Sequence, residues 1–468
     1  IKRRFTMKLK RFLTALAAMT MLMTAFTGCN KDNDSSPSES SSSQADETQS
    51  SEESASGDSD VSGQTIYWLS DYDLNPDAGQ DRSIALTLFE DVYGGKIEWV
   101  PTTQETKYDD LANRILGGDP VDMIDYDPAA FPGAVADQYQ PLDDFIDFSD
   151  ELWTDTKDLA DRMAVDGKHY IVPVGINNPV CLIYSRAMIK DEKLDDPYEL
   201  YKKGEWNYDK FLSMMKTFTE NGDSRYGCTG WIGSPLVQSS GQPFVSFDGK
   251  TYTNNIMSPE IEKAEGVLEE IGTDNLFNAS WNSYFPDDDS TLFFGMTLQS
   301  LAESNAKNED ADLFFVPFPK SSESDSYYLT GDISAKMLAA NSDKGKAVAA
   351  YLTCERIART EDKYKEAEKK QALVKEADYG DDKGSFITEE QYDFWQEITD
   401  LKTVTPMFDY GCGMGTKMYS ETYDYSTRGI INNLSDALIS EHEGSPSTWA
   451  ELRDEWKADI DKEIKKYN

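Results

Sequence analysis

The sequence predicts an α/β fold built on a parallel sheet covered by helices, and two observations carry that reading. From residue 64 onward, short apolar strand-like runs alternate with stretches of helical period. Paired glycines stand where the helical stretches stop. The part that begins there, 64–468, is long enough for two lobes with cores of their own. Thr65 to Leu69 reads as the first strand. Ser83 to Tyr93 follows as a helix, with Leu86, Phe89 and Val92 at helical spacing, and Gly94-Gly95 stops it. Lys96 to Val100 is the second strand. Tyr108, Leu111, Ile115 and Leu116 mark one face of the next helix, which Gly117-Gly118 ends. Val121 to Ile124 is the third strand. A β-α-β-α-β order makes the strands parallel, because each helix must carry the chain back across the sheet. Ligands bind beyond the carboxyl ends of such strands. Those ends carry Asp71-Tyr72 and Asp125-Tyr126-Asp127.

The N-terminal segment reads as an export signal. Lys8, Lys10 and Arg11 precede an apolar run from Phe12 to Phe26. The run is too short for a stable membrane span. It ends in Phe26-Thr27-Gly28-Cys29, followed by polar Asn30-Lys31-Asp32, and resembles a bacterial lipobox with Phe26 where leucine is usual. That resemblance implies a lipoprotein signal peptide over 1–28, with Met7 as its start, and lipidation of the Cys29 thiol. An ordinary secretory signal with a chance cysteine is the alternative. Residues 30–63 hold nine carboxylates against one lysine and almost no large apolar side chain. Such a chain buries too little surface to offset its entropy, so 29–63 is expected to be a disordered acidic tether. The protein is then expected on the outer face of the cytoplasmic membrane, held there by lipid only.

Composition narrows the chemistry. The net charge is −41 and lies almost wholly on 64–468. A field of that sign repels nucleic acid, anionic lipid and anionic solutes, and leaves neutral or cationic solutes. Cys181, Cys228, Cys354 and Cys412 form no Cys-x-x-Cys pair, and Cys181 and Cys354 lie in apolar runs, so buried free thiols are expected. His169 and His442, the only histidines, have no neighbours at metal-ligand spacing, and no Gly-x-Ser-x-Gly elbow exists. Zinc and triad chemistry are disfavoured. Asp71-x-Asp73-x-Asn75-x-Asp77 alternates oxygens like a calcium loop, but Pro76 stands where the turn needs glycine and Arg82 where a bidentate glutamate belongs. No metal is expected.

A series of fragments then appears in a familiar order. Leu116-Gly117-Gly118-Asp119-Pro120-Val121-Asp122, Gln140-Pro141-Leu142-Asp143-Asp144 and Asp166-Gly167-Lys168-His169-Tyr170 with Pro173 come first. Leu182-Ile183-Tyr184, Trp206-Asn207-Tyr208-Asp209-Lys210-Phe211, Phe315 to Lys320, Gly331 to Ala340 with the helix Ser342 to Thr353, and Trp449 to Ile464 follow. Together they resemble the extracellular solute-binding proteins of sugar-importing ABC transporters, the maltose-binding-protein-like family, over nearly all of 64–468. The resemblance implies a class II periplasmic-binding-protein fold, two α/β lobes joined by three hinge crossings near 174–180, 328–334 and 404–412. Lobe 1 would be 64–176 plus 334–404, and lobe 2 would be 177–330 plus 410–468. It implies no enzyme and no cofactor. The expected partners are a small solute, best a neutral sugar or oligosaccharide, and the membrane subunits of an ABC transporter, with the protein a monomer.

Sugar recognition needs aromatic faces for the apolar sides of a pyranose, and carboxylates and amides for its hydroxyls. The loops that match the family offer Asp71 and Tyr72, Tyr126 and Asp127 with Phe131, Asn177 and Asn178, and Trp231. They also offer Trp281 and Tyr284, Gly331 and Asp332, and Phe408, Asp409 and Tyr410. Tyr126, Asp127, Asn178 and Trp231 rank first. Trp68 reads equally as core or site, and core packing and stacking are even for Trp231. One departure stands out: after Phe294-Gly295-Met296-Thr297-Leu298 the family often has Gly-x-Trp, and this chain has Ser300-Leu301-Ala302. The sugar subsite then differs, or the solute is not a typical oligosaccharide. A binding protein for a cationic or peptide solute is the alternative, as are a receptor that does not transport and, with less support, a surface glycoside hydrolase using two opposed carboxylates.

Overall fold

The computed structural model describes residues 61–76, 82–104, 106–128, 138–280, 282–286, 289–375, 384–422, 424–440 and 444–468. The signal, Cys29, most of the tether, Asp77, Phe131, Trp281 and His442 lie outside them. The end of the expected tether does not: Val61 is fully buried and the Gly63 N–H bonds the Gly94 carbonyl at 2.9 Å. A single valine with a core to enter is enough to order those residues.

The strands are β1 (Thr65–Ser70), β2 (Lys96–Pro101), β3 (Met123–Asp125), β4 (Tyr139–Gln140), β5 (Ile171–Ser185), β6 (Tyr226–Gly230) and β7 (Val245–Phe247). They continue with β8 (Tyr252–Asn254), β9 (Phe277–Asn278), β10 (Thr291–Thr297), β11 (Leu313–Val316), β12 (Tyr328–Ala339) and β13 (Thr405–Met407). The expected parallel start is present, with Trp68 of β1 opposite Trp99 of β2 and Met123 of β3. The first helix begins where expected, because the Ser83 hydroxyl accepts the Leu86 N–H at 3.1 Å. Its second half, Leu88–Val92, widens to a π-turn that seats Phe89 against Tyr351, ring centres 5.5 Å apart. Gly95 follows because a Cβ there would lie 2.3 Å from the Phe89 ring. The next helix, Lys107–Gly117, buries Leu111 but leaves Leu116 86 % exposed. Leu116 sits one residue past Ile115 and has rotated off the buried face.

Beyond β3 the sheet turns antiparallel. β12 lies beside β3, with Lys336 opposite Asp125, and β5 lies on the other side of β12. β5 is fifteen residues long and serves two neighbourhoods. Its first half pairs with β12, and its second half pairs with β10 and β11. β6 and β9 extend that second part in parallel. Around the first part Trp68, Phe89 and Tyr351 are buried, and around the second Tyr184, Trp206, Phe211, Phe293 and Phe314. Trp206 donates its Nε1 proton to the Pro317 carbonyl at 2.9 Å, and Asn207 caps helix Tyr208–Glu220. Trp449–Ile464 closes the chain as a helix capped by Thr448. Cys181, Cys228 and Cys354 are buried free thiols as expected, and Cys412 is a partly buried one.

One buried acid opposes this packing. Glu265 is fully buried in helix Pro259–Thr273, and neither carboxyl oxygen has a partner. Burial, with Asp436 adding a like charge, raises its pKa well above the ordinary value. The unfolded chain therefore gives up a proton that the folded one keeps, and stability falls as pH rises past the unfolded value. Glu265→Met is expected to stabilise the protein. Its advantage should grow by up to about 1.4 kcal/mol per pH unit above roughly pH 4.5. Urea midpoints of both proteins from acid to neutral pH check this, and a gap that did not widen with pH would refute it.

Candidate binding cleft

The carboxyl ends of β1, β3 and β6, the middle of β5 and the middle of β12 converge on one cleft. It consists of two cavities, of about 1430 Å³ and about 1990 Å³, which share Gln104, Asp127, Pro128, Gly331, Asp332 and Phe408. Asp71, Tyr72, Tyr126, Asp127, Asn177, Asn178 and Asp332 line the first cavity. Trp231 lines the second, with Asp127 and Asp332 again at the junction. The structure thus gathers eleven separately chosen residues around one space, because Gly331, Phe408 and Asp409 line it too.

Trp231 is 47 % exposed in that cleft and is not packed into the core. Its backbone is pinned: the N–H bonds the Gly295 carbonyl at 2.7 Å, and a Cβ on Gly295 would come 2.4 Å from the Trp231 carbonyl. Asn178 presents a buried Oδ1 with no hydrogen-bond partner. A buried amide oxygen left unpaired is costly. Asn177 is already engaged, its Oδ1 accepting from Arg359 at 2.6 Å. Asp71 accepts from Gln104 at 3.0 Å. Asp332 stands where the cleft walls strip water from its carboxyl and push its pKa up.

Several expectations change. Tyr410 lines neither cavity; its hydroxyl donates to the Arg162 carbonyl at 2.5 Å, and its ring packs on Phe408 with centres 4.8 Å apart. An aromatic residue after an aspartate in a loop can face either way, and here the core takes it. Asp409 is buried and binds the Phe244 and Gly411 N–H groups at 2.6 and 2.9 Å, a fastening for the loop. Tyr284 lines neither cavity and carries Lys307 over its ring at 3.7 Å. Trp68 is fully buried, so its choice falls to the core. Asp73 folds into a local turn, its Oδ1 accepting from the Asn75 N–H at 2.9 Å. Where the family often places Gly-x-Trp, aliphatic Leu298 and Leu301 line the first cavity.

The floor of the first cavity holds charged residues that the sequence reading did not select. Lys336 is buried and donates to Glu355 Oε1 at 2.8 Å, with the Trp68 ring centre 5.6 Å away. Asp125 is pushed up to about 6 by burial, an effect that Lys336 and a hydrogen bond from Tyr72 oppose. Lys107 pairs with Asp127, and Arg356 pairs with Asp155 and donates to the Val174 carbonyl at 2.6 Å. The available signal was spacing: Tyr351, Glu355 and Arg359 recur every four residues along one face of helix Gly345–Thr360.

Residues 76–289, which run from the loop after β1 to the approach to β10, match the family described as bacterial extracellular solute-binding protein, a family of binding proteins and not of enzymes. The structure of a cyclic α-maltosyl-1,6-maltose binding protein from Arthrobacter globiformis is similar over 86 % of this chain and 99 % of that one, at 13 % identity and a TM-score of 0.59. An ABC substrate-binding protein from Listeria monocytogenes, solved with cycloalternan, covers 85 % of this chain and 98 % of its own, at 15 % identity and a TM-score of 0.55. A galacto-N-biose/lacto-N-biose I-binding protein from Bifidobacterium longum covers 86 % and 97 %, at 10 % identity and a TM-score of 0.56. The fold is the mixed α/β fold of these binding proteins. No curated protein sequence matches significantly. Among the described residues no helix is long and apolar enough to cross a membrane.

Proposed function

We propose that this protein is the lipid-anchored receptor of an ABC importer and that it holds a carbohydrate in the cleft. The observation that carries this reading is the pairing of a half-exposed Trp231 with the unpartnered Asn178 oxygen in one continuous cleft. A stacking face and an unpaired amide are what a pyranose needs. The family match over 76–289 and the sugar ligands of the three similar structures support it. In this reading 64–176 with 334–404 and 177–330 with 410–468 are two lobes that close on the solute about three crossings. The closed form then docks, as a monomer, on the transporter's membrane subunits. Small-angle scattering should show a more compact protein with bound sugar, and the sugar should be recovered unaltered after long incubation. A turnover product would overturn the binding role.

The anchor has its own test. Cys29→Ala should release the protein into the medium or block its processing. Unchanged retention at the membrane would remove the lipid from the account.

A further inference from the structure

The charged groups at the floor of the first cavity are unevenly satisfied. Its buried cations are committed: Lys107 to Asp127, Lys336 to Glu355, and Arg356 to Asp155 and two backbone carbonyls. The groups left over are acceptors. Glu355 Oε2 is buried and unpartnered, as is Asn178 Oδ1. Lys336 serves both Asp125 and Glu355, and Lys107, the other lysine that faces Asp125, is already paired with Asp127. Tyr126 is 8 % exposed, lines the same cavity, and its hydroxyl has no partner among the described residues. Asp332, at the junction of the two cavities, has no cation beside it among the described residues.

A hydroxyl offers one donor to such acceptors and brings acceptors of its own. An ammonium group brings donors only, and it is attracted to carboxylates and aromatic faces alike. Tyr72 and Tyr351 line the cavity beside the two acids. We propose that the solute is a saccharide bearing a protonated amine, seated against Asp125 and Glu355. This deepens the carbohydrate reading and rests on it.

Binding then carries a proton signature. Burial pushes Asp125 up to about 6. The groups that face it are Tyr72 from the loop after β1, Lys336 of β12, Glu355 of helix Gly345–Thr360 and Lys107 of helix Lys107–Gly117. An ammonium placed beside Asp125 favours its charged form, so affinity should fall as pH drops below that value.

The test uses a matched pair of ligands, glucosamine oligosaccharides and their N-acetylated counterparts of equal length, titrated calorimetrically at neutral pH. Spermidine serves as an amine without a sugar. The amine form should bind at least about tenfold tighter than the acetylated form. Glu355→Gln should bring the two to near parity, and Asp332→Asn, which removes a charge without changing the side chain's size, should narrow the gap. Equal or tighter binding of the acetylated form by the unaltered protein overturns the proposal and leaves the carbohydrate reading standing. Binding of spermidine with no saccharide bound overturns that reading and the proposal together.

Discussion

Trp231→Ala should lower solute affinity about tenfold to a hundredfold and leave the fold intact. The side chain is half exposed in the cleft, so its removal takes little from the core. What is lost is a flat apolar face held in one place by the Gly295 contact. Losing such a face in a closed cleft costs roughly 1–3 kcal/mol, which is the stated loss of affinity. Asn178→Ala should weaken binding by a similar factor, yet the two variants differ when no solute is present. The Asn178 Oδ1 atom is buried without a partner, so removing it should leave the empty protein as stable as before or slightly more so. Calorimetry for affinity and urea unfolding for stability separate these effects. A variant that bound as tightly as the parent would remove that residue from the site.

Asp409→Ala should produce the largest loss of stability. The carboxylate receives N–H bonds from Phe244 at 2.6 Å, Val245 at 3.2 Å and Gly411 at 2.9 Å, all buried. Alanine orphans all three donors, and each orphan costs about 1–3 kcal/mol, so a total of at least about 3 kcal/mol is expected. The damage should reach the cleft, because Asp409 ties β7 to the turn that follows Phe408, and Phe408 lines both cavities. A urea midpoint unchanged from the parent would contradict this assignment.

The legible part of the fold was local. β1 to β3 and their helices were readable because short apolar runs and paired glycines set the boundaries within the segment itself. The cleft residues were found because strand ends and the resemblance's fragment order pointed to them. The floor of the cavity was not readable. Asp125, Lys336 and Glu355 are far apart in sequence and meet only through the antiparallel register of β3 on β12 and the helix packed beside them. Tyr410, chosen for the site, and Trp68, read as even between core and site, show the converse. An aromatic residue near a strand end looks the same in sequence whether it faces a ligand or the core, and only the hydrogen bond of Tyr410 to Arg162 and the full burial of Trp68 distinguish them.

The central claim, that the cleft receives a carbohydrate, is tested most directly by calorimetry of the protein against a broad panel of neutral and amine-bearing mono- and oligosaccharides, with polyamines and short peptides as the comparison. The account predicts a saccharide that binds in the micromolar range or tighter and loses affinity in Trp231→Ala. A panel in which no saccharide binds while a polyamine or a peptide does would contradict it.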